Sequence, residues 1–187
     1  MKADNKEAIL AAAKRTAMAH GYAGLNFRDL AAEVGIKAAS VYYHFPGKAE
    51  LGVAVAKRYW EDIAADLDAI SNQASDPLAS LHRYPEIFRT SLQNDNRMCL
   101  SSYMTAEYDD LPDVVKHEVR AFAEVNVAWL SNALTAAGVV EAVDSDGRAG
   151  AIYAAVAGAQ LMARGRADLS LFDTLIDHYR ATGLLPA

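Results

Sequence analysis

Residues 26 to 51 read NFRDLAAEVGIKAASVYYHFPGKAEL, and this stretch decides the fold. It predicts two short helices. In the first, Asn26 caps a run of apolar residues at helical spacing, and Gly35 supplies the left-handed residue that ends the helix. The second covers residues 39–45 and stops at Pro46-Gly47. Two short helices joined by a glycine-containing turn predict a helix-turn-helix.

The second of these helices has one apolar face and one face that can form hydrogen bonds. Val41 and Phe45, four residues apart, are predicted to pack against the first helix. The opposite side presents Ala39, Ser40, Tyr42, Tyr43 and His44. Tyrosine hydroxyls and an imidazole can donate to phosphate, whereas tyrosine rings and an alanine methyl can touch thymine methyl groups. We therefore predict that this face contacts DNA.

Polar and basic residues around the same helix fit contacts with phosphate. Lys37 precedes the helix, and Lys48 lies at the start of the next one, where free amides and the helix dipole favour an anion. Arg28, in the first turn of the preceding helix, is within reach of base edges or backbone, and Asn26 can share its cap with a phosphate. Each residue alone is more often simply solvated, but the set together predicts a DNA-binding surface.

The charge of the chain is distributed unevenly. The net charge of the 187 residues is −6, which is unusual for a nucleic-acid binder. Residues 1–60, however, carry nine Lys or Arg against five Asp or Glu, whereas the remainder carries nine against nineteen. A basic N-terminal part on an acidic body suits a DNA-binding domain joined to a domain with another role.

Residues 26–36, 39–45 and 48–51 together resemble the signature of the tetracycline-repressor (TetR) family. The resemblance implies an all-α homodimer of about nine helices that binds double-stranded operator DNA. It places the DNA contacts at Asn26, Arg28, Lys37, Ala39, Ser40, Tyr42, Tyr43, His44 and Lys48. Position 37 is usually Ser or Thr in this family and caps the recognition helix. Lys37 cannot cap in this way, so its DNA contact is inferred from its charge.

The remaining sequence predicts helices and no strands, because alanine supplies much of the 52% hydrophobic content. Further helices are predicted over residues 4–20, 48–70, 78–92, 98–108, 112–137, 146–165 and 169–182, with Pro85 kinking one of them or marking its start. We expect an N-terminal three-helix DNA-binding domain over residues 1–50. Residues 51–187 then form a helical domain for effector binding and dimerisation.

The last two helices are candidates for the dimer interface. The first is rich in Ala and Gly over residues 149–165, and the second carries apolar residues up to residue 179. An internal core helix would show the same pattern. We favour the dimer interface, because one short recognition helix contacts too few base pairs, whereas a two-fold pair of subunits contacts two half-sites.

An effector site is predicted from aromatic and polar residues of the body. The candidates are Trp60, Phe88, Cys99, Tyr103, Phe122, Asn126 and Trp129. Most such residues form ordinary core. Asn126 lies on an apolar face and needs a partner, which a ligand or a neighbouring helix can supply, and Glu107 raises the same question. Cys99 is either a sensor thiolate, favoured by Arg97 and a helix start, or a small buried hydrophobe.

These features predict a ligand-responsive transcriptional regulator, a repressor that a small molecule releases from its operator, and not an enzyme. The alternative is an all-α enzyme or a ligand carrier centred on Cys99 that does not bind DNA. No nucleophile-elbow, phosphate-loop or dinucleotide motif is present, so we expect no cofactor, and we expect no metal. Without a signal peptide or a bilayer-length apolar run, the expected location is the cytoplasm, with no membrane partner.

Overall fold

The computed structural model describes residues 2–186, and the side chains from residue 5 onward. These residues form no strand, which confirms the all-α prediction. The α-helices are α1 (Lys2–His20), α2 (Phe27–Val34), α3 (Ala38–His44), α4 (Lys48–Gln73), α5 (Pro77–Arg83), α6 (Glu86–Gln93), α7 (Leu100–Ala106), α8 (Asp113–Ala136), α9 (Ser145–Arg166) and α10 (Leu169–Ala181). No helix in the described part of the chain has the length and apolarity needed to cross a membrane.

Pro85 divides the helix that was predicted over residues 78–92. The α5 helix ends at Arg83 and α6 begins at Glu86. Proline has no N–H to continue the backbone ladder, and its ring clashes with the preceding turn. The described residues therefore form ten α-helices where about nine were expected.

Side-chain caps begin three of the helices. The Oδ1 atom of Asn26 accepts from the N–H of Arg28 at 2.8 Å and from that of Asp29 at 3.4 Å. Asp76 accepts from the N–H of Ala79 at 2.8 Å, and Asp168 caps α10 in the same way. These bonds satisfy amides that have no partner within the helix. The Ala79 amide lowers the pKa of Asp76, and the Ser170 hydroxyl, together with the capped amides, lowers the pKa of Asp168.

The chain folds into two compact units. Unit 1 consists of Met1–Trp60 and Cys99–Ala121, and unit 2 consists of Glu61–Met98 and Phe122–Ala187. The long helices α4 and α8 contribute residues to both. The predicted boundary after residue 50 stays a prediction.

In unit 1, α1 packs against α2, α3 and α7. The buried face of α1 consists largely of alanine, which lets neighbouring helices approach closely. The buried apolar residues of α1–α3 are Ile9, Leu10, Ala12, Ala13, Ala17, Phe27, Leu30, Ala31 and Val41. Both carboxylate oxygens of Glu7 accept from Arg58, at 2.5 and 3.0 Å, and this pair links α1 to α4.

In unit 2, α9 packs against α6 and α10. Ala149, Ala159 and Ala163 are fully buried on α9, so small side chains again permit close helix packing. Two polar contacts fix the arrangement. Arg89 donates two hydrogen bonds to Asp173, at 2.8 and 2.9 Å, and the buried amide of Gln160 donates to the carbonyl of Phe88 at 2.8 Å.

Candidate nucleic-acid interface

The α3 helix has the orientation that its spacing predicts. Val41 and Phe45, the residue that caps its C-terminus, are buried, whereas Tyr42 and Tyr43 are 57% and 70% exposed. Two large aromatic side chains on one short helix therefore face solvent. Amphipathic rings in this position suit a groove that offers both methyl groups and phosphates.

Aromatic contacts hold both tyrosine rings in place. The Tyr42 ring lies 4.7 Å from the Phe27 ring, tilted by 54°. The Tyr43 ring meets the His44 ring edge-on, with centroids 5.1 Å apart. Rings that are already ordered lose less conformational entropy when they bind.

A cavity of about 340 Å³ adjoins the Tyr42 and Phe27 rings. Leu25, Asn26, Phe27, Arg28, Tyr42 and Lys48 line it. Four of the nine predicted DNA contacts, on α2, α3 and α4, are thereby brought around one depression. Ala39 lies exposed on α3, and Ser40 and His44 lie half-exposed on it.

The position of Lys48 is defined by the loop between α1 and α2. Its Nζ atom donates to the carbonyl of Ala23 at 2.9 Å and lies 4.8 Å from the centre of the Tyr22 ring. An ammonium group has three N–H donors, so this bond leaves Lys48 able to bind an anion as well. The contact with the Tyr22 ring adds cation–π attraction.

Lys37 precedes α3 without capping it. Its backbone is extended, with φ −78° and ψ 145°, and its side chain makes no capping hydrogen bond. This agrees with the expectation that lysine cannot replace the usual hydroxyl. The helix nevertheless begins one residue earlier than predicted, at Ala38, because the N–H of Ser40 donates to the Lys37 carbonyl at 2.8 Å.

Four of the predicted effector residues lie in unit 2. Phe88, Phe122 and Asn126 are buried, and Trp129 is half-exposed. Asn126 accepts from the Tyr84 hydroxyl at 3.0 Å and donates to the Phe122 carbonyl at 2.8 Å. Its polar partners are therefore supplied by the protein.

Trp129 lines a second cavity, of about 410 Å³. The other lining residues come from the last turn of α4, the link to α5, the start of α5 and the same face of α8. They are Ser71, Ala74, Ser75, Asp76, Pro77, Ser80, Asn132, Ala133 and Ala136. The indole is stacked on Tyr84, with ring centroids 5.8 Å apart, and its Nε1 donates to Ser71 Oγ at 2.9 Å.

The other predicted effector residues, Trp60, Cys99 and Tyr103, lie in unit 1. Trp60 Nε1 donates to Glu118 at 2.8 Å, and Tyr103 is half-buried on α7. Cys99 is only 2% exposed. Burial raises the pKa of its thiol and outweighs the hydrogen bonds that act in the opposite direction. Although Cys99 stands at the start of α7, its burial and its raised pKa both disfavour the reactive thiolate.

Comparison with known proteins agrees with this geometry. Residues 9–55 match the family described as "Bacterial regulatory proteins, tetR family". The crystal structure of a TetR transcriptional regulator from Legionella pneumophila is 31% identical, with a TM-score of 0.87 and coverage of 95% of this chain and 96% of that one. The chain belongs to the TetR family of transcriptional regulators. No curated protein sequence matches it.

Two further solved structures share the fold of this TetR-family protein. A TetR-family regulator from Agrobacterium tumefaciens is 26% identical, with a TM-score of 0.86 and coverage of 94% of this chain and 95% of that one. The reduced form of NemR from E. coli is 20% identical, with a TM-score of 0.83 and coverage of 95% and 96%. As a TetR-family member, the chain is a DNA-binding transcriptional regulator.

Sequence reasoning about this TetR-family protein missed three residues of unit 2, of which Tyr84 and Gln160 are buried and Tyr153 is half-buried. Tyr84 contacts both Asn126 and Trp129, and the Tyr153 ring lies 6.3 Å from the rings of Phe88 and Phe122. Gln160 is completely buried. Only Gln160 gave a signal, since an amide among alanines and glycines on one helix must find a partner when it is buried.

Proposed function

We propose that this regulator is a repressor that binds operator DNA as a homodimer and leaves it when a small molecule binds. One observation carries the DNA contact: the exposed Tyr42 ring lines a cavity together with Arg28 and Lys48, and Tyr43 is exposed next to it on the same helix. Lys37, Lys48, Asn26, Arg28 and His44 contact phosphates. Ala39, Ser40 and the two tyrosines contact base edges.

The enzyme and carrier alternatives centred on Cys99 have less support. A nucleophile or a ligand-binding thiol has to be reachable, and Cys99 is buried with a raised pKa. We assign no enzymatic role. Residues 1–50 read the operator and residues 51–187 bind the effector and dimerise, in the cytoplasm where the DNA is.

A dimer is supported by the exposed face of α9. Residues three and four apart on this face are small or apolar and open to solvent in the single chain. They include Ala151, Ala154, Leu161, Met162 and Gly165. Leu161 and Met162 are 59% and 50% exposed. An apolar helix face of this kind is normally covered by a partner, and a two-fold pair of subunits covers it with itself.

The DNA contact is tested with the protein and the intergenic DNA upstream of its own gene. A gel shift is expected for the wild-type protein. Tyr43→Ala should weaken binding by about 1–3 kcal/mol per subunit if the ring reads a base, and leave the melting temperature nearly unchanged. Val41→Ala is the matched control, because it removes a buried side chain from the same helix and should lower stability. Full affinity in Tyr43→Ala would remove this tyrosine from the interface.

The effector is expected to bind in the cavity lined by Trp129, which has room for a small organic molecule. Release of labelled operator DNA, followed by anisotropy, would identify it, with a loss of DNA affinity of about 5- to 150-fold. Trp129→Ala should blunt this release, whereas Cys99→Ser should respond normally. The opposite result, with release lost only in Cys99→Ser, would make the thiol the sensor.

A further inference from the structure

The Glu107 side chain reaches back to the loop between α1 and α2. Its Oε2 atom accepts from the backbone N–H of Tyr22 at 2.6 Å, and its Oε1 atom accepts from that of Ala23 at 3.2 Å. Glu107 and Tyr22 are 85 positions apart in the chain, and both belong to unit 1. A carboxylate that accepts from two successive amides holds a peptide more firmly than neutral bonds do.

The backbone of the loop is built around this carboxylate. Gly21 has φ +68°, and a Cβ atom at this position would lie only 2.3–2.5 Å from the Glu107 carboxylate. Gly52 on α4 allows an equally close approach, since its Cβ would lie 2.6 Å from the Tyr22 ring. Two glycines therefore let the carboxylate and the ring take positions that any other residue would obstruct.

The same loop positions the phosphate-binding lysine. The Ala23 N–H is bound by Glu107, the Ala23 carbonyl is bound by Lys48, and the Tyr22 ring lies beneath the Lys48 ammonium. Lys48 lines the cavity together with Asn26 and Arg28. Glu107 fixes residues 22 and 23, and these in turn fix Lys48.

We infer that Glu107 is a positioning residue for operator binding, which orders the Lys48 ammonium through the Tyr22–Ala23 peptide. Glu107 does not touch DNA. The inference rests on the proposed phosphate contact of Lys48. It also predicts that the Glu107 side chain raises operator affinity, whereas its negative charge alone would lower it. An acidic group near DNA repels phosphate, so removing its charge should strengthen binding, whereas loss of positioning should weaken it.

The test compares Glu107→Gln with Asp109→Asn in gel shifts on the operator. Glutamine keeps the size of the side chain, but its NH₂ group meets a backbone N–H, so the loop loses one acceptor. Operator affinity should fall about tenfold, which corresponds to the loss of one charged hydrogen bond. Asp109, exposed two residues away, controls for charge, and Asp109→Asn should bind equally well or slightly better. Tighter binding by Glu107→Gln would overturn the inference.

A double-mutant cycle shows whether Glu107 acts through Lys48. Lys48→Ala alone should reduce the slope of log affinity against log salt by about 2 per dimer. If Glu107 works through this lysine, Glu107→Gln should change affinity less than about twofold in the Lys48→Ala background. Fully additive losses would refute the pathway.

Hydrogen exchange of the wild-type protein gives a measurement that does not depend on how well the variants fold. The Tyr22 and Ala23 amides should exchange slowly in the wild type, because the carboxylate protects them. Rapid exchange at both amides would contradict the binding of this loop by Glu107.

If the wild-type protein failed to shift its upstream DNA, the proposed function would fail. Shifted DNA with unchanged affinity in Glu107→Gln would reject only the role of Glu107.

Discussion

Leu161→Glu is expected to convert the protein from a dimer to a monomer and to abolish operator binding. In the proposed dimer the exposed face of α9 is covered by the partner, so the new carboxylate would be buried twice around the two-fold axis. An unpaired buried charge costs several kcal/mol, and each 1.4 kcal/mol changes an association constant tenfold. The association constant of the dimer should therefore fall by several powers of ten, and the two DNA-binding domains separate. Each domain alone then binds only one half-site.

Sedimentation and footprinting check this result together. The wild type should sediment as a dimer at micromolar concentration, and Leu161→Glu as a folded monomer with a normal helical spectrum. Ala128→Glu is the matched control, because it adds the same charge at an exposed position of α8 and should remain dimeric. A monomer that still protected both half-sites would contradict the proposed interface.

Gly21→Ala is expected to be the most destabilising single-methyl addition in unit 1. The left-handed backbone at φ +68° costs about 1–2 kcal/mol for alanine. The new Cβ also displaces the Glu107 carboxylate and removes the acceptor of the part-buried Tyr22 amide, at about 1–3 kcal/mol. A total of about 3 kcal/mol or more would lower the melting temperature by roughly 6–12 °C.

Gly35→Ala separates the two causes. Gly35 has φ +75°, and a Cβ atom there would meet nothing within 4 Å. Its substitution therefore carries the backbone strain without a collision, and should cost only the first 1–2 kcal/mol. Thermal unfolding of the two variants under identical conditions gives the difference. Equal losses would mean that the Glu107 carboxylate moves aside freely.

Local features of this protein were predictable because their causes are close in sequence. The Asn26 cap, the left-handed Gly35 and the buried pair Val41 and Phe45 all act within one or two helical turns. The break at Pro85 was foreseen only as a kink or a start. The apolar spacing of the sequence continues across Pro85, so periodicity does not show where the first helix ends. The Asp76 cap marks only the start of α5.

Long-range partners were not predictable. The sequence marked Asn126 and Glu107 as polar groups in need of partners, but those partners are Tyr84, 42 residues away, and Tyr22, 85 residues away. Periodicity describes one helix at a time and does not say which helices meet. The exposure of Cys99 was equally hidden, because a helix start can face either solvent or the core.

The discontinuous makeup of unit 1 has a consequence during protein synthesis. Residues up to Trp60 leave the ribosome well before Cys99–Ala121, which complete the unit. At about 5–20 residues per second, the intervening stretch of about 60 residues takes roughly 3–12 s. Until Glu107 emerges, the Tyr22 and Ala23 amides have only water to bind. If Glu107 orders Lys48 as proposed, a nascent chain whose recognition helix has already formed binds the operator less tightly than the finished protein does.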